Sequence, residues 1–70
     1  MGKELFTMHQ LMNRADNKPF CSDEIRAYDE AIYQTKVVLG MDESATDDET
    51  VDKAVEMNLR YDERGNIENI

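Results

Sequence analysis

One segment constrains everything else in this chain: between Ser22 and Gly40 the sequence carries a helix start, an apolar stripe and a helix stop. The Ser22 hydroxyl can cap free backbone N–H groups, and Asp23 and Glu24 follow at the positive end of the helix dipole. Ile25, Tyr28, Ile32, Thr35 and Leu39 recur at steps of three and four, Ala31 and Val38 widen the stripe, and Gly40 supplies the left-handed residue that ends helices. Thr35 is mildly polar on this stripe, but its hydroxyl can bond a carbonyl one turn back. The helix predicted over 23–39 is ~25 Å long. It is the strongest element in the chain.

Leu5, Met8, Leu11 and Met12, flanked by Phe6, predict a shorter amphipathic helix over residues 3–13. Pro19 excludes Lys18 from helical backbone, so 14–20 reads as a connection. Thr46-Asp47-Asp48-Glu49 matches a capping box and opens a third helix over 47–58, with Val51, Ala54, Val55 and Leu59 on one face and Asp48, Asp52 and Glu56 in an opposite row. The tail can either extend that helix until Gly65 or form a hairpin. The hairpin is preferred, because Asp62 and Gly65 suit the first and fourth positions of a turn joining strands near Arg60 and Ile67. The expected fold class is mainly α: a single small acidic domain over 1–70, of three helices with a short C-terminal turn or β-hairpin.

Small size also sets the expected assembly. The lone Cys21 rules out an internal disulfide, and one His with one Cys falls short of a structural zinc site. A core of roughly this size supplies only about 3–5 kcal/mol, and an isolated hairpin leaves an unpaired strand edge. A homodimer is therefore expected. No charged start followed by an apolar run occupies Met1–Leu11 and no stretch suits a membrane span, so a soluble protein of the reducing cytoplasm is expected.

Sixteen Asp and Glu against eight Lys and Arg give a net charge of −8, which argues against direct binding to DNA, RNA or an anionic membrane and in favour of a basic partner. The charge is concentrated. Asp42, Glu43, Asp47, Asp48, Glu49, Asp52 and Glu56 face only Lys53, leaving −6 within residues 41–56. A calcium loop counted from Asp42 fails, since Asp47 stands where glycine is needed and Lys53 where the bidentate glutamate belongs. No cofactor or metal is expected.

Catalysis is not expected either. The acids lie on predicted solvent faces rather than in a pocket that would raise a pKa. His9 and Cys21 lack an orienting group and an oxyanion device, and read as a boundary histidine and a small buried side chain. Gly2, Gly40 and Gly65 are isolated, so no phosphate-cradling loop exists. Met8, Met12, Met41 and Met57 read mainly as core filler.

Helical carboxylates one turn apart lie ~6 Å from each other, on the scale of consecutive phosphates along a nucleic-acid strand. Asp23, Glu24, Asp29 and Glu30 would extend this pattern into a second row if the helices lie side by side. A solubilising face is the simpler use of such residues. In length, acidity and lack of catalytic groups, the chain resembles the small DNA-mimic inhibitors that bacteriophages encode against host nucleic-acid-binding proteins. That resemblance is compositional and assigns no individual residue. It implies a non-enzymatic inhibitor whose acidic residues occupy the basic DNA-binding surface of a host protein, such as a nucleoid-associated protein, in competition with DNA. The alternative is a helical adaptor or assembly module anchored by Tyr28, Ile32, Met8 and Met12, and a weak acid-rich metal binder ranks last.

Overall fold

The computed structural model describes residues 4–18 and 22–68. Three helices, α1 (Met8–Asp16), α2 (Asp23–Leu39) and α3 (Asp47–Glu56), precede two short antiparallel strands, β1 (Arg60–Tyr61) and β2 (Ile67–Glu68). The protein is thus mainly helical with a small hairpin. Arg60 pairs with Glu68 and Tyr61 with Ile67.

The central helix follows its signals closely. Ser22 Oγ accepts from Ile25 N–H, and Gly40 stands at φ 68°. Met41 N–H closes on the Lys36 carbonyl at 2.8 Å, so the last turn is satisfied. Its stripe is narrower than expected, for Val38 is exposed and Ile25 and Leu39 are half-buried, while Ala27, Ala31, Ile32 and Thr35 are buried. In α3 the buried positions are Thr50, Val51 and Ala54, whereas Val55 is exposed. Thr46 Oγ1 accepts from Glu49 N–H at 3.1 Å, the forward half of the expected box. The reciprocal box forms instead at α1, where Thr7 Oγ1 accepts from Gln10 N–H and Gln10 Oε1 accepts from Thr7 N–H.

That box corrects the first helix. It begins at Met8 rather than near residue 3, because Thr7 is extended and caps the helix. It also runs to Asp16, past the expected end at Asn13, because Ala15 continues the buried face of Met8 and Leu11. Phe6, ahead of the cap, is extended and exchanges two 2.8 Å backbone hydrogen bonds with Tyr61. The third helix stops earlier than 58. Asn58 takes φ 58°, and Asn58 N–H and Leu59 N–H return to the Val55 and Ala54 carbonyls at 3.0 Å. This left-handed stop turns the chain into β1 and decides the tail in favour of a hairpin.

The turn itself forms as its residues dictate. Gly65 N–H donates to the Asp62 carbonyl at 3.0 Å, and Asp62 Oδ1 accepts from the N–H groups of Arg64 and Asn66 at 2.8 and 3.0 Å. Gly65 is required twice over: it stands at φ 88°, and a Cβ there would overlap the Ala27 carbonyl of α2. Both edges of the hairpin are engaged, contrary to the unpaired edge expected from sequence. Phe6 takes the outer side of β1, and the outward Ile67 N–H donates to Gln34 Oε1 at 3.0 Å.

The core gathers Met8, Leu11, Ala31, Ile32, Val51, Ala54 and Tyr61, with Phe6, Met12, Tyr28, Leu59 and Ile67 packed against it. Thr35 does not bond back along its helix as expected; its hydroxyl pairs with that of Tyr61, both side chains being fully buried. No buried polar side chain lacks a partner among the described residues. The buried Cys21 expected from sequence lies outside the described residues.

Two substitutions test this architecture. Gly65→Ala should destabilise the fold by more than the about 1–3 kcal/mol of a left-handed non-glycine residue, because the hairpin tip must also lift off α2; urea melts read the loss directly. Thr46→Ala should cost about 0.5–2 kcal/mol, and an unchanged melting midpoint would place the start of α3 elsewhere.

Candidate functional site

The acidic surface is built by the loop that joins α2 to α3 and by the first turns of α3. In the loop, Asp42 Oδ1 accepts from Ser44 N–H and Ser44 Oγ, each at 3.0 Å, and Lys36 Nζ donates to the Glu43 carbonyl at 3.3 Å. The Ser44 N–H above all, then its hydroxyl and the Lys36 charge, hold the Asp42 carboxyl below its ordinary value. Asp42 therefore shapes the turn while remaining exposed. Asp47, Asp48 and Glu49 occupy the first turn of α3, where carboxylates also stabilise the exposed N–H end.

All seven predicted acids, Asp42, Glu43, Asp47, Asp48, Glu49, Asp52 and Glu56, are exposed. Asp48, Asp52 and Glu56 share one helix edge at four-residue spacing, and among the described residues no basic side chain forms an ion pair with them or with Asp47. No group of three or more His, Cys, Asp or Glu side chains among the described residues lies close enough to hold a metal ion. The carboxylates are dispersed over a surface rather than converged on a point.

Tyr28 marks where that surface crosses from one helix to the next. Its phenol titrates above the usual value, first because it is partly buried and then because Asp47, Asp48, Asp16 and Asp29 all act on it. Carboxylates carried by α1, α2 and α3 all contribute to the electrostatic field at this half-buried phenol. Asp16 is the member that sequence reasoning missed, because 14–20 was read as a connection; Ala15, four residues after Leu11, was the available signal.

The second acidic row divides in the structure. Asp29 is exposed on α2 and contributes to the field at Tyr28. Glu30 Oε2 accepts from Gln34 Nε2 at 2.9 Å, and the same amide donates to Asn66 Oδ1 at 2.7 Å, so this acid belongs to the hairpin side of α2. Asp23 and Glu24 line an open cleft with Arg14, Arg26 and Arg64, where the charge is mixed. Arg14 also lies over the Phe6 ring, 4.4 Å from its centre.

The adaptor anchors are likewise redistributed. Met8 and Ile32 are buried in the core, and Tyr28 and Met12 are half-buried against it, so these four residues make no free stripe. Of the methionines read as core filler, Met8 is wholly enclosed, whereas Met57 is exposed. His9 is exposed on α1. No helix among the described residues is long and apolar enough to cross a membrane. Comparison with protein-family models, curated proteins and solved structures finds no match.

Both core-facing tyrosines give this fold an alkaline limit. Burial raises the Tyr61 phenol above its ordinary value of 10.0, only partly offset by its bond to Thr35. The Tyr28 phenol is raised as well. A raised folded-state value means that the stabilising neutral phenol is fully present below the unfolded value and is lost as pH rises beyond it. Thermal melting should therefore be insensitive to these groups at neutral pH and fall above about pH 10. In Tyr61→Phe the alkaline fall should be shallower, while stability at pH 7 drops by about 1–3 kcal/mol through the stranded Thr35 hydroxyl.

Proposed function

We propose that the protein is a non-enzymatic ligand for basic DNA-binding proteins, one that presents its acidic surface in place of DNA. The observation supporting this reading is the exposed acidic row itself: Asp48, Asp52 and Glu56 follow one another at four-residue spacing on α3, with Asp47 and Glu49 in its first turn, and carry no internal ion pairs among the described residues. A carboxylate that has no internal counter-ion keeps its field for a partner, and the ~6 Å step along the helix is on the scale of successive phosphates. The partner in this proposal is a basic host protein such as a nucleoid-associated protein. The mechanism is competition: acidic side chains and DNA phosphates exclude one another from the same Lys and Arg residues.

Reversal of Asp48, Asp52 and Glu56 to lysine tests it, bringing residues 41–56 from −6 to zero. The partner is recovered from bacterial lysate at low salt and its release of fluorescent duplex DNA is then measured against the purified chain. The parent should displace DNA, with an affinity that falls steeply as salt rises. The triple variant should bind about tenfold more weakly or worse, since each exposed pair is worth up to about 1 kcal/mol and is replaced by repulsion. Reversal at Asp48 also removes a favourable charge from the start of α3, worth about 0.3–1 kcal/mol, so circular dichroism must show both proteins folded at the assay temperature. Equal competition by the two proteins, or binding indifferent to salt, would refute the proposal.

A further inference from the structure

The outer face of α2 carries exposed apolar side chains that the core does not absorb. Tyr33 and Val37, one turn apart, are 65% and 63% exposed. They border a shallow groove with Ile32, Met41 and the open surface at Gly40. Together they leave apolar surface exposed beside the groove that a partner can cover. Its occupant is indicated by the charges at its margin. Asp29 and Lys36 stand seven residues apart, two turns along the same flank, and both line the groove.

We infer that this face pairs with a second copy of the same chain, the two α2 helices running antiparallel about a two-fold axis between residues 32 and 33. Reversal about that point exchanges positions 29 and 36, so each Asp29 meets the other copy's Lys36, and the contact is made twice. The same operation brings Arg26 opposite Leu39, beside the loop that carries Glu43 at the groove's end. The Tyr33 rings fall next to the axis and Val37 extends the apolar contact on either side. A parallel pairing would instead set Asp29 against Asp29 and Lys36 against Lys36, which is repulsive. Lys36 donates to the Glu43 carbonyl, and its ammonium keeps further N–H groups for a carboxylate. Among the described residues, Phe6 pairs with β1 and Gln34 binds the outward Ile67 N–H of β2, so both strands already have partners within the chain. Asp48, Asp52 and Glu56 are not part of the groove, so pairing would leave that row exposed in both copies.

Sedimentation equilibrium of the full chain over a concentration series, at moderate salt, tests the inference. The parent should sediment as a dimer that dissociates on dilution, and Tyr33→Glu with Val37→Glu should give a folded monomer by circular dichroism. Asp29→Lys alone and Lys36→Asp alone should each weaken pairing about tenfold or more, a change of ~1.4 kcal/mol. The exchange of both charges in one chain should restore it, and the two single variants should pair with each other when mixed. That rescue depends on the antiparallel register and survives any loss of stability in a single variant. A chain that stays monomeric at hundreds of micromolar concentration overturns the inference, as does a dimer indifferent to the two glutamates or to either single charge reversal, or one that the double exchange fails to restore. DNA competition by the Asp48, Asp52 and Glu56 variant is read separately, so either proposal can fail alone.

Discussion

The fold depends on Tyr61. Its backbone holds Phe6 on one side, its ring fills the space between the helices, and its hydroxyl pairs with Thr35 in the middle of α2. Three stretches far apart in sequence are therefore joined at a single residue. A buried hydroxyl costs free energy unless it is paired, so the Thr35 and Tyr61 side chains specify one arrangement of hairpin on helix rather than merely favouring contact. The alanines around them, Ala27, Ala31 and Ala54, are all buried and small enough to let the elements approach closely.

From that join follows the assignment of the faces of α2. The hairpin covers one flank, where Gly65 meets the Ala27 carbonyl and Gln34 binds both Asn66 and Ile67. Leu11, Met8 and Val51 from the other helices share the core with Ala31 and Ile32. The flank bearing Tyr33 and Val37 is left uncovered by the described residues. With Cα extents of 31 × 28 × 15 Å the molecule is a thin slab, and a thin slab cannot enclose all sides of a central helix.

Charge is segregated on this slab by local rules that also stabilise it. Acids at the start of α3 relieve its unpaired N–H groups, and Asp42 closes the preceding turn, so part of the acidic surface serves the fold before it serves any partner. Asp52 and Glu56 have no such local duty. Arginines collect on the opposite theme, at the cleft between the end of α1, the start of α2 and the hairpin turn, where they are interleaved with acids. A solvating role distributes charge of both signs, whereas the row along α3 is of one sign, and this contrast supports reading it as a docking surface.

What the amino-acid order decided by itself was local. The caps at Ser22 and Thr46, the stop at Gly40 and the Asp62–Gly65 turn each complete their hydrogen bonds within a few residues, and so they could be read directly. The Thr7 and Gln10 box and the Asn58 stop are equally local, yet their signals were outweighed by apolar periodicity on either side of them. The tertiary structure alone decided the rest: that Phe6 is a strand neighbour of Tyr61, that the Thr35 hydroxyl pairs with that of Tyr61, and that Val38, expected on the buried stripe, is exposed. Helical periodicity names the residues that share a face, but several faces of α2 are partly apolar. Which of them is buried depends on where the hairpin lands, and that is fixed by a long-range hydroxyl pair and a glycine contact that no local pattern encodes.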